Sequence, residues 1–296
     1  MSSNSSLASL AYSSDAVRER TRIWADYLGS RIDQRSRNGY YGYKTRNHGA
    51  VVGVSHDFGC VWSAGGYLSY SDSKTEYRNL ASRIDADIYQ GGVFAQYKSN
   101  FSGWVGSLDL SLAGIDNEYF RYAGGQRFDA NFDQLVFGAG LEAGYEFSPW
   151  ANGRVIPFAG LRYQRLHQDA VHERGGHFAI NAASSQADSL VSSLGINLAH
   201  AFVVGEGSVT PSLTLGWTHE YGDRKLSTSY SYGGGSLVTR ADTVNKGRDA
   251  LEAGFGLSAI LARNATHSFG VNCGYNASVG ARRVEHNFQA GCQLGF

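Results

Sequence analysis

The sequence predicts an all-β protein: a closed antiparallel transmembrane β-barrel of about 12 strands, with a short N-terminal helix in the lumen. Three observations predict it. Hydrophobicity alternates with a period of two along most of the chain, the pattern of strands with one apolar face. The opposite faces are rich in Gly, Ser and Asn, where a soluble sheet would turn Lys, Glu and Thr to water. The connections alternate between short and long, as in barrels whose two rims lie on opposite sides of a bilayer.

Composition sets the bounds. With 42% hydrophobic and 18% charged residues and a formal net charge of +0, the chain suits neither a disordered tail nor a basic nucleic-acid-binding surface. Only 3 Pro leave backbone N–H groups free for ladders, while 38 Gly, 18 Tyr and 15 Phe suit curved, closely packed strands. Cys60, Cys273 and Cys292 are too few for a disulfide scaffold and lack the C-x-x-C spacing of a zinc site. The start, Met1-Ser2-Ser3-Asn4-Ser5-Ser6, has neither the basic nor the apolar region of a secretory signal. No apolar run approaches the ~20 residues of a membrane helix, which leaves strands as the means of crossing.

Ser5 to Arg20 carries Leu7, Leu10, Ala11 and Val17 among charged residues and has no Pro or Gly. A short helix capped near Ser14 or Asp15 is expected there, with a disordered leader as the plainer alternative. The division is therefore a linker or lumenal helix at 1–21 and a barrel at 22–296. A mixed first strand follows near Ile23 to Ile32, with weak alternation in Ala50 to Phe58, Trp62 to Tyr70, Tyr89 to Tyr97 and Val155 to Tyr163. Alternation is clear where Trp104, Leu108, Leu110 and Leu112 oppose Ser107, Asp109 and Ser111. It continues through Leu135 to Phe147, Leu190 to Phe202, Val209 to Trp217 and Leu251 to Leu261. The last two strands, Phe269 to Val279 and Val284 to Phe296, are the most regular. One strand alone cannot say whether its apolar face meets lipid or a protein core. The small polar residues opposite it favour lipid outside and a hydrated lumen inside, lined by the scattered charges Asp109, Glu142, Arg162 and Glu252.

Short connections are expected at Phe58-Gly59-Cys60, Ser99-Asn100, Ser148 to Gly153, Gly205-Glu206 and Arg263 to Thr266. Long ones are expected at Arg35 to Arg46, Ser71 to Asp87, Asp116 to Phe132, His167 to Asp188 and Gly222 to Asp249. The final hairpin, near Ala281-Arg282, is short again. If it turns on Ala281-Arg282-Arg283-Val284, Cys273 and Cys292 face each other, close to disulfide range. Two small apolar residues facing lipid is the plainer account of the same pair.

Other clusters carry less. His167, His172 and His177 share one loop with Asp169 and Glu173, but their spacing fits no structural zinc pattern, so a solvated loop is expected. Gly233-Gly234-Gly235 lacks the Lys-Ser/Thr of a phosphate cradle. An omptin-like outer-membrane protease is the serious enzymatic competitor, since Ser55-His56-Asp57 and His219-Glu220 set a His beside an acid. Adjacent strand residues point to opposite faces, however, and no Gly-x-Ser-x-Gly elbow is present.

Five stretches together resemble the C-terminal translocator domain of bacterial autotransporters, the type V secretion route. They are Arg20-Thr21-Arg22-Ile23-Trp24 followed by Gly49-Ala50-Val51-Val52-Gly53-Val54; Arg154-Val155-Ile156-Pro157-Phe158-Ala159-Gly160-Leu161-Arg162-Tyr163; and Asp188-Ser189-Leu190 with Ser193-Leu194-Gly195. Next come Leu215-Gly216-Trp217-Thr218-His219-Glu220-Tyr221 with Arg248-Asp249-Ala250-Leu251-Glu252-Ala253-Gly254-Phe255-Gly256-Leu257, and the terminal strand ending in Phe296. The resemblance runs from about Arg20 to the end. It implies a 12-stranded barrel in the bacterial outer membrane, a helix in the pore and surface loops. It also implies the partners: a passenger domain upstream, the barrel-assembly machinery and the lipid bilayer. No nucleic acid, cofactor or catalytic residue is implied, and the chain would be a monomer. The terminal aromatic resembles the assembly signal of the family, and Phe288, Cys292, Leu294 and Phe296 fit its alternating spacing. The sequence departs from the family in carrying neither passenger nor signal peptide, so a precursor extending upstream is expected. It also lacks the Asn-Asn pair at which some members cut themselves. A pore or surface barrel without a passenger is the alternative from another class.

Overall fold

A computed structural model of the chain describes residues 21–36, 41–59, 61–99, 102–222, 227–232, 239–242, 247–264 and 266–296. The helix expected within residues 1–20 lies outside them, as do Cys60 and the glycine run at 233–235. Seven long strands come first: β1 Thr21–Gln34, β2 Tyr43–Phe58, β3 Trp62–Tyr77, β4 Ser82–Lys98, β5 Gly103–Ala123, β6 Gln126–Glu146 and β7 Gly153–Gln168. The short β8 Val171–His172 and β9 Ile180–Ala182 precede β10 Ser185–His200, β11 Phe202–Val204 and β12 Gly207–Glu220. Then follow β13 Ser227–Tyr232, β14 Thr239–Asp242, β15 Asp249–Arg263, β16 Ser268–Gly280 and β17 Arg283–Gly295.

Strands β1 to β7 pair in sequence, β7 pairs with β10, β10 with β12, and β12 through β15 and β16 to β17. β11 prolongs β10 past Ala201 in the same register against β12. β17 returns to β1, closing an antiparallel barrel of twelve strands. The seam runs from Arg22 opposite Gly295 to Gln34 opposite Arg283. Thr21 and Phe296 exchange backbone hydrogen bonds of 3.0 and 2.9 Å at its foot. Closure matters because an open edge would leave N–H and C=O groups unpaired in hydrocarbon. The remaining short strands form a separate sheet, in the order β14-β13-β9-β8, from the two longest loops at one rim.

The barrel is apolar outside and polar inside. Leu68, Leu141 and Leu251 are exposed by 69%, 56% and 66%, whereas Asn197, Glu285 and Arg154 are buried to 2%, 5% and 7%. The apolar cluster of buried residues is small: Val105, Ile156 and Phe158. A wall of exposed leucines around buried charges is stable only where the outer solvent is lipid. Aromatic rings bound the apolar band at both ends. Near the short turns, Trp62 packs at a tilt against Tyr97 at 5.1 Å and Trp104 meets Tyr145 edge to face at 5.6 Å. Near the other rim, Tyr70 and Tyr163 donate their hydroxyls to Asp87 (2.6 Å) and Asp188 (2.5 Å). There too, the hydroxyls of Tyr27 and Tyr275 bond His48 (2.7 Å) and His286 (2.6 Å). Each partner lies two residues further toward the loops on a neighbouring strand, so the phenols are anchored at the wet side of the interface.

Two expectations need correction. The stretches Ser71 to Asp87 and Asp116 to Phe132, expected as loops, are largely paired strand. β5 and β6 run together up to Ala123 and Gln126, turning on Gly124 and Gly125 with φ of +58° and +78°, a conformation that favours glycine at both positions. Beyond the bilayer both faces of a hairpin are wet, so alternation fades although the ladder continues. The final hairpin turns on two residues, Ala281 and Arg282, not four. Cys273 therefore faces Ala290 and Cys292 faces Val271, and both thiols are free. Diagonal neighbours stand about 7–8 Å apart, beyond the about 4.4–6.8 Å that a disulfide spans. In the oxidised, folded barrel both thiols should react with a lipid-soluble maleimide, and migration should be the same with and without reductant.

Candidate translocation lumen

The interior holds a cavity of about 880 Å³ toward the loop rim and a second of about 690 Å³ toward the short turns. Asp109, Glu142, Arg162 and Glu252, the four residues singled out from alternation, all line the first. Asp109 of β5 and Arg162 of β7 are not on adjacent strands: Gly140 of β6 lies between them in register. Arg162 nonetheless donates to Asp109 at 3.2 Å, directly over that glycine. A Cβ on Gly140 would come within 2.3 Å of Asp109 Oδ1 and 3.2 Å of Arg162 Nη2. The missing side chain is what lets the pair bridge three strands. Glu252 of β15 and Glu285 of β17 likewise flank Ser278 of β16, and Glu285 is paired with Arg283. Glu142 stands beside Gly160 of β7.

The lower half contains charges that the sequence reading did not single out. Arg22 pairs with Asp57 at 2.5 Å, Lys98 with Glu146 at 3.8 Å, and Asn272 donates to Asp26 at 2.8 Å. For Arg22 and Asp26 the signal was present in the alternation of β1, where even-numbered residues face inward, but Trp24 and Leu28 on the same face blurred it. Those lumenal aromatics lie flat against the wall. A Cβ on Gly53 would meet the Trp24 ring at 2.2 Å, and one on Gly92 the Tyr67 ring at 2.5 Å. Tyr67 also accepts a hydrogen bond from Gln90 at 3.1 Å. Rings folded onto glycines leave the axis open while covering the backbone.

At the loop rim, the segment carrying β8 and β9 is locked to the β5–β6 hairpin. Arg121 binds both oxygens of Glu173 at 2.7 Å and donates to the Phe178 carbonyl at 2.9 Å. The Ile180 N–H donates to the same carboxylate at 2.7 Å, and the Arg121 guanidinium lies 4.4 Å from the ring centre of the fully buried Phe128. The Glu173 side chain is only 2% exposed. Such a bidentate, desolvated pair fixes one geometry.

The catalytic alternatives find separate surroundings. His56 bonds the Thr21 hydroxyl at 2.9 Å on the outer face, while Asp57 turns inward to Arg22. His219 bonds Asp249 at 2.8 Å, and Glu220 accepts from the Ser189 hydroxyl at 2.7 Å. Of the loop histidines, His172 bonds Asn181 at 2.9 Å and His167 lies 3.5 Å from Asp169. Phe288, Leu294 and Phe296 are about half exposed, at 48%, 54% and 52%, the first two among the outward residues of β17.

A closed antiparallel barrel with an apolar girdle, two aromatic belts and a charged lumen is a transmembrane β-barrel of the outer-membrane class. The autotransporter β-domain family model matches residues 23–272, and the chain belongs to that family. It is similar to outer membrane protein B of Rickettsia rickettsii, 25% identical over 287 residues covering 89% of this chain and 16% of that protein. It is also similar to the IgA-specific serine endopeptidase autotransporter of Neisseria gonorrhoeae, 24% identical over 257 residues, covering 87% of this chain and 15% of that protein. The chain thus spans about one-sixth of the length of these relatives. Among solved structures, the translocator domain of the autotransporter NalP from Neisseria meningitidis superposes with a TM-score of 0.74 at 16% identity, covering 97% of this chain and 92% of that one. The β-domain of the Bordetella autotransporter BrkA gives 0.71 at 20% identity, covering 94% and 99%. The protein is therefore an outer-membrane barrel of the kind that serves passenger secretion.

Proposed function

We propose that the barrel anchors a passenger segment joined to its N-terminal side and gives that segment a hydrated route to the cell surface. One observation carries this reading: β1 begins at the short-turn rim, beside a lumen lined by Asp26, Asp109, Glu142 and Arg162, and the loops stand at the opposite rim. Short turns belong on the periplasmic side and long loops outside. Chain preceding Thr21 reaches the outside by the shortest path through that lumen, and residues 1–21 are read as its lumenal part. Small and paired polar side chains suit such a passage, since an extended backbone finds hydrogen-bonding partners without a sticky apolar wall. The barrel itself does no covalent chemistry; an enzymatic activity would belong to a passenger. Its partners are its own passenger, the assembly machinery acting on the Phe288, Leu294 and Phe296 face, and lipid, and it works as a monomer.

The test is an epitope fused ahead of Met1 behind a secretory signal. The epitope should become accessible to added protease on intact cells, while a fusion to the same barrel lacking Phe296 should show a several-fold loss of heat-modifiable barrel in the membrane. A folded barrel whose epitope stays protected would overturn the conduit reading. Undiminished yield without Phe296 would overturn its assembly role.

A further inference from the structure

On the outer wall, loopward of the aromatic belt, two like charges are set face to face although acids lie around them. On β1 and β2, Arg31 and Arg46 are directly opposite each other, both exposed. Like charges in facing positions repel, so the arrangement is unfavourable unless an anion sits between them. Neither guanidinium makes a hydrogen bond or ion pair with another described residue. The same cross-strand row continues to His286 of β17 on one side and Lys74 of β3 on the other. Glu76 is held by Lys74 at 3.2 Å and feels Arg46 only at longer range. One strand further, the row turns acidic at Asp85, itself paired with Arg83 at 2.6 Å, and then at Glu118.

Two further observations give the row a depth and a neighbour. It lies just loopward of Tyr27 and Tyr275, whose hydroxyls bond His48 and His286 and mark the interface. Six to eight residues below it along β2, the outer face of β1 to β5 has a shallow, open apolar groove lined by Ile23, Val52, Val54, Leu68, Val93 and Leu110. It is hollow because Gly66 and Gly91, facing outward between these residues, present no side chain.

We infer that this sector is a docking site for an outer-leaflet lipid with a phosphorylated headgroup, its phosphate held between Arg31 and Arg46 and its acyl chains laid in the groove. Paired guanidiniums suit phosphate oxygens, and basic clusters at the interface attract anionic headgroups. The groove argues for a lipid over a free phosphate. The inference rests on the outer-membrane location and is independent of whether a passenger is exported.

The test uses the full chain folded in neutral detergent, with native mass spectrometry and three probes: diphosphorylated lipid A, its fully dephosphorylated form and inorganic phosphate. The wild-type barrel should hold one diphosphorylated lipid and bind the dephosphorylated form at least about tenfold more weakly, as expected for lost charge-assisted hydrogen bonds. Arg31→Gln with Arg46→Gln should give a similar loss, and the corresponding Lys pair should retain most of the affinity. Gly91→Leu, which fills the groove without changing charge, should also weaken binding. Equal binding of the two lipids to the wild-type protein would overturn the proposal without any variant. So would unchanged affinity in Gly91→Leu, or saturation by inorganic phosphate alone, which would leave only an ion site. Heat-modifiable migration reports folding separately, so a lost lipid is not confused with a lost barrel.

Discussion

In Glu173→Gln, trypsin should cut after Arg174 at least about a hundredfold faster than in the parent barrel. Arg121 would keep its charge in a site built for a carboxylate, and breaking one side of a buried ion pair typically costs about 3–5 kcal/mol. Global unfolding would not absorb that cost. The locked segment is a local unit at the rim, held by Arg121, by the Asp129–Arg174 backbone pair at 2.8 and 3.0 Å and by the β9–β13 ladder, so it opens without the barrel. The rest of the barrel should keep its heat-modifiable migration. Replacing both partners, Arg121→Met with Glu173→Leu, should restore most of the protection, because an apolar pair leaves no orphaned charge. Cleavage of Glu173→Gln at the parental rate would show that the ion pair does not hold the segment down.

The second large effect is expected at Leu141→Arg. Leu141 lies in the outer row formed with Leu108 and Leu161, 47% and 50% exposed, four residues along β6 from Tyr145 of the aromatic belt. An arginine at the midplane of the lipid face costs about 2–4 kcal/mol. Its neighbour Glu142 faces the lumen, so Glu142→Gln on the same strand should change stability by less than about 1 kcal/mol. Denaturant unfolding from vesicles compares the two variants directly. Similar midpoints would mean that the face carrying Leu141 is not against lipid, and the inside-out barrel would be wrong.

How much of this was legible follows from which solvent each residue meets. Between the aromatic belts, lipid on one side and water on the other enforce strict alternation, so Leu135 to Phe147 and Phe269 to Val279 could be assigned residue by residue. The same contrast placed Asp109, Glu142, Arg162 and Glu252 in the lumen. Past the belts the contrast vanishes, which is why Tyr119 to Ala123 read as loop although it is paired strand. Register was fragile for another reason: a turn of two residues instead of four shifts each partner by two positions, enough to separate Cys273 from Cys292. The Arg121–Glu173 pair, 52 residues apart, has no local signature. Neither has the facing of Arg31 and Arg46, visible only when β1 and β2 are laid in register.

The four tyrosine clasps near the loops all lean the same way, each phenol held by an acid or an imidazole on the loopward side. To invert the protein in its membrane, or to slide it inward by a turn's depth, would drag bonded carboxylates and rings through oil. The wall therefore carries a built-in heading, kept by the chemistry of its outer surface and independent of anything threaded through its centre.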